Sequence, residues 1–297
     1  MPTKQTINRG AVGAGSCNIL ITGASTGIGK GAALHWAKQG HNVFACVRKA
    51  SDGEALTEAH PNVEYLIVDV TQSAHIKQAH KELSKRRLTG NFHIVNNAGI
   101  AVAGPVEAVS MASWRRQFEV NFFGLIEVIQ TFLPMVRERR GRIVNMSSVA
   151  GRVAQAFMGP YSSSKFALEG VTDALRRELK RFNIPVVLIE PGPIDTPIWN
   201  KGLNKGTDKL IETGELNRES MALYREAFDH FSAFAEKLAH SADPVEHVLE
   251  KLDLALFSPH PQARYTVGQR ARIGAVLSKL PAGLADELIT WQARLMS

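Results

Sequence analysis

Cysteine is nearly absent: Cys17 and Cys46 are the only two in 297 residues. Two thiols make no disulfide framework and suit a reducing compartment, so the chain is expected in the cytoplasm. No group of cysteines and histidines has metal-ligand spacing, and no metal is expected. Long hydrophobic runs are missing too. No segment supplies the roughly 18 uncharged apolar residues of a transmembrane span. The polar, Gly-rich stretch 1–16 lacks the apolar core of a secretory signal. It is expected to be a disordered tail, leaving 17–297 as a single domain. Internal repeats and low-complexity segments are absent. The net charge of +7 invites a nucleic-acid reading, but no basic stripe with interleaved aromatics exists to support it. The short runs Lys85-Arg86-Arg87 and Arg137-Glu138-Arg139-Arg140 fall where helices should end, where cations complement the helix dipole. An anionic cofactor or substrate accounts for the sign instead.

What is present is an alternation of short apolar runs with helical patterns. Asn18–Thr22 reads as a buried strand and Lys30–Gln39 as a helix, with Gly23-Ala24-Ser25-Thr26-Gly27-Ile28-Gly29 between them. A Gly-rich turn in that position is a phosphate cradle, because glycines let backbone N–H groups approach and a helix N-terminus favours negative charge. Val43–Val47 is a second strand, followed by Arg48-Lys49. An acid there would bind ribose hydroxyls of NAD, whereas a cation accommodates the 2′-phosphate of NADP, so this strand end points to NADP(H), with NAD(H) the alternative. Two surface cations opening a loop would look the same.

A third strand is expected from Val63 to Val70, carrying Asp69 at its end, then a helix from Ser73 to Leu83. His93–Asn96 is a fourth strand running into Asn97-Ala98-Gly99. The segment Ser113–Val136 reads as one long helix with Asn121 amid Val120, Phe122 and Phe123. A polar amide there is costly unless bonded, so it either caps or kinks the helix or holds a water. Arg142–Ser148 is a fifth strand ending in two hydroxyls, Tyr161–Arg181 a helix, and Pro185–Glu190 a sixth strand stopped by Pro191-Gly192-Pro193. Arg264–Gly268 supplies a further strand.

This rhythm predicts an α/β fold, a parallel sheet of about seven strands with helices on both faces. Its sites lie beyond the carboxyl ends of the strands, where the glycine turn, Asp69, Asn96, Ser148 and Pro191 fall together. Tyr161 and Lys165, four apart, share one helix face, and an ammonium near a phenol favours the phenolate. On spacing alone the pair is one amphipathic helix among several.

The stretch 197–241 breaks the rhythm. Its aromatic stripe of Tyr224, Phe228 and Phe231 with Ala235 and Leu238 reads as a helical lid over an apolar substrate, or as a helix packed on the body. Asp243-Pro244 caps a helix to Leu256 with Pro at its first position, and 269–297 forms a helical extension.

These motifs, in this order and over Asn18 to Pro197, resemble the classical short-chain dehydrogenase/reductase family. The resemblance implies a Rossmann-type doubly wound fold and an NAD(P)-dependent oxidoreductase. Thr22-Gly23-x-x-x-Gly27-x-Gly29, with Ser25, Thr26 and Ile28, resembles the family's cofactor turn. Asp69-Val70 resembles its adenine-contacting pair, Asn96-Asn97-Ala98-Gly99 its fourth-strand motif, and Pro191-Gly192, Ile194 and Thr196 its nicotinamide-holding segment. Asn121, Ser148, Tyr161 and Lys165 fall on its catalytic tetrad, Ser148 standing thirteen residues before Tyr161. In that assignment Ser148 binds the substrate oxygen and Tyr161 moves its proton. Lys165 lowers the Tyr161 pKa and binds the nicotinamide ribose, and Asn121 holds a water linking Lys165 to solvent. The run Lys165-Phe166-Ala167-Leu168-Glu169-Gly170, the Arg264-Tyr265 strand and the Leu-rich tail are similar to the retinol and 17β-hydroxysteroid dehydrogenase branch. That similarity implies a lipophilic alcohol or ketone. The family also pairs the helices of Asn121 and Tyr161 across a dimer interface, so a homodimer or homotetramer is expected.

Overall fold

The apolar runs become seven parallel strands, and the computed structural model describes residues 15–198 and 206–295. Strands β1 (Asn18–Thr22), β2 (Asn42–Val47), β3 (Val63–Ile67), β4 (Phe92–Asn96), β5 (Ile143–Met146), β6 (Val186–Pro191) and β7 (Arg264–Val267) lie in the order β3-β2-β1-β4-β5-β6-β7. The order reverses direction between β1 and β4, which opens a crevice at the carboxyl edge there. β1, β4, β5 and β6 are buried along their whole length because helices cover both faces.

Helix α1 (Gly27–Lys38) lies on one face with the helix Val245–Phe257, through Ala33, Trp36, Val248 and Leu252. On the other lie α3 (Ser73–Ser84), α5 (Gly124–Glu138) and α6 (Gly159–Leu179), through Ile76, Phe132 and Leu168. A third apolar cluster gathers over the crevice. It joins Ala101, Val102, Met158 and Tyr161 to the lid helices α7 (Thr207–Glu212) and α8 (Arg218–His240). The chain closes with α9 (Val245–Phe257), α10 (Gln269–Leu277) and α11 (Ala282–Leu295).

Several expectations change. A helix the sequence pattern does not announce, α2 (Ala50–Ala59), follows β2; only Gly53 and Leu56 in it are buried, too few to make a stripe. Gly53 is there because a Cβ would stand 2.3 Å from the Tyr65 ring. β3 ends at Ile67, three residues early, because the Asp69 carboxylate turns back to accept from the Thr71 N–H at 2.9 Å. The long helix is not continuous: α4 (Met111–Phe118) and α5 are joined by a π turn at Glu119–Phe123, and Asn121 is its buried residue. Pro244 sits at the N-cap of α9, not at its first position. By length and composition the helix Met111–Glu138 is apolar enough to cross a membrane, yet its apolar side, with Leu125, Ile129 and Phe132, is laid on the sheet. The expected tail lies outside the described residues apart from Gly15 and Ser16, as do 199–205 of the lid.

Candidate active site

At the edge where β1 and β4 diverge is a cavity of about 700 Å³. One end is built by the turn after β1. Gly23 has φ +68, and a Cβ on it would stand 2.7 Å from the Ala98 backbone. At Gly29 the Cβ would meet the Gly23 carbonyl at 2.3 Å. These glycines let turn, helix and β4 close on one another. Thr22 Oγ1 accepts from the Asn97 and Ala98 N–H groups at 3.0 Å, and the Asn97 amide donates to the Thr22 and Gly23 carbonyls. The α1 N-terminus carries no side-chain cap and no acid in its first turn, so its N–H groups face the cavity with the positive end of the helix. This arrangement fits the pyrophosphate of a dinucleotide.

The predicted cofactor residues divide. Gly23, Ser25, Thr26, Gly27 and Ile28 line the cavity. So do Arg48, Asp69 and Val70. Asn97, Ala98 and Gly99, which follow β4, Pro191 at the end of β6, and Gly192, Ile194 and Thr196 beyond it complete that wall. Gly29 lies behind it as a packing residue, and Lys49 is the exposed N-cap of α2, outside the lining. Among the described residues no three His, Cys, Asp or Glu side chains gather as a metal site.

Ser148, Tyr161 and Lys165 share the other end of the cavity. A buried polar chain sets the rotation of α6: Asn96 donates to Asn145 at 2.9 Å and Asn145 to Thr172 at 2.9 Å. Ser148 accepts from the Ala150 N–H at 3.1 Å and donates to the Pro191 carbonyl at 3.4 Å, and it is near enough to the Tyr161 phenol to pull its pKa down. Ser147 points the other way, buried toward Glu169, which leaves Ser148 as the serine at the phenol. The Lys165 ammonium donates to the Met146 carbonyl at 2.7 Å and lies 5.7 Å from the Tyr161 ring centroid.

Burial dominates the acid–base character here. It pushes the Tyr161 phenol above its ordinary value, and Ser148 pulls it back. Burial likewise lowers Lys165 to about 8, against the carboxylate of Glu169. The expected direction, a phenol lowered by Lys165, is therefore not what this arrangement shows: the ammonium is turned to a backbone carbonyl.

Asn121 stands behind the cavity. Its Oδ1 accepts from the Ile100 N–H at 2.9 Å, and both amide protons are used, on the Ile100 carbonyl at 3.0 Å and on Ser164 Oγ at 3.2 Å. The bonded, kink-forming reading holds, and only acceptor lone pairs remain for a water. One turn earlier Gln117, fully buried, accepts from the Val102 N–H at 2.7 Å and donates to the Ile100 carbonyl at 2.9 Å. Sequence reasoning passed over Gln117; its signal was a second amide four residues before Asn121 in an apolar helix. It also missed Arg116 and Glu215, which line the cavity and pair at 2.7 Å between α4 and the lid.

Among the described residues, the lid aromatics Tyr224, Phe228 and Phe231 do not line the cavity. Phe228 and Phe231 pack on Phe157 at 5.7 and 5.4 Å, and Tyr224 donates to Glu107 at 2.8 Å. Of the two readings of that stripe, packing on the body is the one observed. Phe157 has φ +64, a conformation a bulky side chain rarely takes, held by the Gly104 N–H on its carbonyl at 2.7 Å.

The family model of short chain dehydrogenases matches residues 17–206. An NADPH-dependent 3-dehydrocapnine reductase of Ornithobacterium rhinotracheale is 34% identical over 91% of this chain and 94% of that protein. Retinol dehydrogenase 5 of Mus musculus is 34% identical over 96% of this chain and 91% of its own. Among solved structures, a short chain dehydrogenase from Burkholderia cenocepacia in complex with NADP superposes with a TM-score of 0.68 at 25% identity, over 95% of this chain and 98% of that one. With a seven-stranded parallel sheet, a glycine cradle at its switch point and a serine, tyrosine and lysine at one cavity wall, the chain belongs to the short-chain dehydrogenase/reductase family of oxidoreductases.

Proposed function

We propose that this oxidoreductase prefers NADP(H) and interconverts a secondary alcohol and a ketone, or a primary alcohol and an aldehyde, on a lipophilic substrate. The observation that carries the reading is that Ser148, Tyr161 and Lys165 line the same cavity as the Gly23–Ile28 turn. The turn and the α1 N-terminus hold the pyrophosphate of the dinucleotide, Arg48 its 2′-phosphate, and Asp69 and Val70 its adenine end. Asn97 to Gly99 and the segment Pro191 to Thr196 flank its nicotinamide end. The bound nicotinamide supplies or accepts the hydride. Ser148 orients the substrate oxygen with a hydrogen bond, and Tyr161 gives that oxygen its proton in reduction or takes it in oxidation. Lys165 supplies positive charge beside the phenol and contacts the nicotinamide ribose. Asn121 and Gln117 hold Ile100 and Val102 in place from behind.

Arg48 supports NADP(H), and so do the NADPH named for the Ornithobacterium relative and the NADP in the Burkholderia structure. A lipophilic substrate is supported by the apolar lining of Ile100, Ala101, Val102, Val120 and Ile198, and by the relative named for retinol. The Arg116–Glu215 ion pair in the same wall favours a second reading, a carbonyl compound with a polar end. Exposed Phe123 and Phe166, on the π turn and α6, support a homodimer through those helices, and two buried unpaired cysteines support a cytoplasmic setting. NADPH absorbance followed against retinoid, steroid and polar carbonyl compounds tests the proposal. Turnover confined to apolar carbonyls is expected; tight NADPH binding without turnover of any of them refutes it.

A further inference from the structure

Behind Lys165 lies a charged cluster that the catalytic assignment leaves unused. Glu169 is one turn beyond Lys165 on α6, with its side chain 12% exposed. Arg264 of β7 reaches its Oε2 at 3.3 Å and also touches Asp173 at 2.8 Å and Glu190 at 3.2 Å. Glu190, fully buried on β6, is already held by Arg152 at 3.1 Å and by the Thr266 hydroxyl at 3.1 Å. Asp173 takes Arg176 and Arg177 at the surface, at 3.1 and 3.8 Å. Of the three carboxylates, Glu169 is the one that stands a single turn from Lys165 on the same helix. Its Oε1 is buried without a formed hydrogen bond, as are Glu190 Oε1 and the Ser147 hydroxyl; burial pushes the Glu169 carboxyl above its ordinary value, while the nearby Ser147 hydroxyl and Arg264 pull it back. Gly151 seals the spot: a Cβ on it would lie 3.0 Å from the Lys165 carbonyl, 3.0 Å from Ser147 Oγ and 3.1 Å from Glu169 Cγ.

We propose that Glu169 is a positioning residue for catalysis: its carboxylate, fixed by Arg264 and sealed in by Gly151, is the counter-charge that holds the Lys165 ammonium charged against the Met146 carbonyl. The inference rests on the Tyr161–Lys165 reading above. A purely structural Glu169 would tie α6 to β7 and nothing more. As counter-charge it acts through Lys165, whose ammonium burial disfavours and Glu169 supports. The strand β7 then serves the site indirectly, because Arg264 aims the carboxylate.

The test compares wild type, Glu169→Gln and Glu169→Asp in two measurements on the full chain. One is the alkaline limb of kcat/KM; the other is the ¹⁵N NMR titration of the lysine side chains, with Lys165→Met to assign the signal. In Glu169→Gln the Lys165 titration and the alkaline limb should both move about one pH unit lower, and Glu169→Asp should restore most of the shift. Arg264→Gln is the second variant, needed if Glu169→Gln does not fold. Removing the cation that shares Glu169 should leave the limb in place or raise it. An unmoved Lys165 titration in Glu169→Gln, or a downward shift in Arg264→Gln, overturns the inference. If Tyr161→Phe retains turnover, the catalytic reading fails by itself, and the NMR titration still decides on Glu169.

Discussion

Replacing Lys165 by methionine should make the protein more stable at neutral pH while stopping its chemistry. The Lys165 side chain is 5% exposed, and burial moves it from 10.5 to about 8. At about 1.36 kcal/mol per pH unit, holding that ammonium charged costs about 3 kcal/mol at pH 7, the attraction of Glu169 included. Between pH 8 and 10.5 the unfolded chain binds the proton more tightly than the folded one, so wild-type stability rises with pH across that window. Methionine has nearly the same length and no charge. The stability difference between variant and wild type should thus favour methionine at pH 7 and shrink by about 3 kcal/mol as the pH approaches 10.5. Urea denaturation of both proteins at half-unit steps from pH 6.5 to 10.5 reads this directly, because every other titrating group is common to the pair. A difference flat with pH would refute the argument; it would mean that the ammonium reaches water in the folded protein.

Tyr161→Phe should cut turnover by about 10²- to 10⁴-fold, the usual contribution of a positioned proton donor, while NADPH titration by fluorescence shows near-normal affinity; substantial residual activity rules out its acid–base role. Arg48→Ala should weaken NADPH by about tenfold, as a lost charge-assisted hydrogen bond would, and NADH far less. Equal losses for the two cofactors would remove the argument for NADP. Gln117→Ala leaves the buried Val102 N–H without its partner and should cost about 2 kcal/mol or more. Because residues 100–102 line the cavity, KM should rise with the fall in thermal midpoint; a lowered midpoint with unchanged KM would confine Gln117 to stability.

The sheet was legible because its strands are short, apolar and separated by turn residues, and β1, β4, β5 and β6 are buried on both faces as such runs require. The site was legible for a different reason: Gly23, Ser148 and Pro191 each end or follow a strand, and parallel strands bring all their ends to one edge. What escaped lies where the signal is not periodic. Helix α2 buries two residues and leaves no stripe. The π turn adds a residue to one helical turn, which shifts the phase of the pattern without changing its composition. Lid aromatics look alike whether they face a ligand or Phe157. The Glu169–Arg264–Glu190 contacts join α6, β7 and β6, so no local window shows them. Lys49, next in sequence to Arg48, stands at the start of a helix whose existence the pattern did not show.

The departures from local preference are not scattered. Phe157 in the left-handed region, the π turn around Asn121, the buried Lys165 ammonium and the phenol raised by burial all adjoin one end of α6. The strained backbone opposes stability by about 1–3 kcal/mol and the buried ammonium by about 3 kcal/mol, while the raised phenol is protonated at neutral pH whether the chain is folded or not. A helix used only for packing would carry a neutral side chain at 165 and glycine at 157. Their neighbours instead hold these residues in place: Met158 on the lid core, Gly104 on the Phe157 carbonyl, Ser164 on the Tyr161 carbonyl at 2.7 Å, and Met146 on the ammonium. Strain maintained by so many separate contacts marks a preorganised site. That is the physical ground for regarding Tyr161 and Lys165 as chemistry, beyond the four-residue spacing that first drew attention to them.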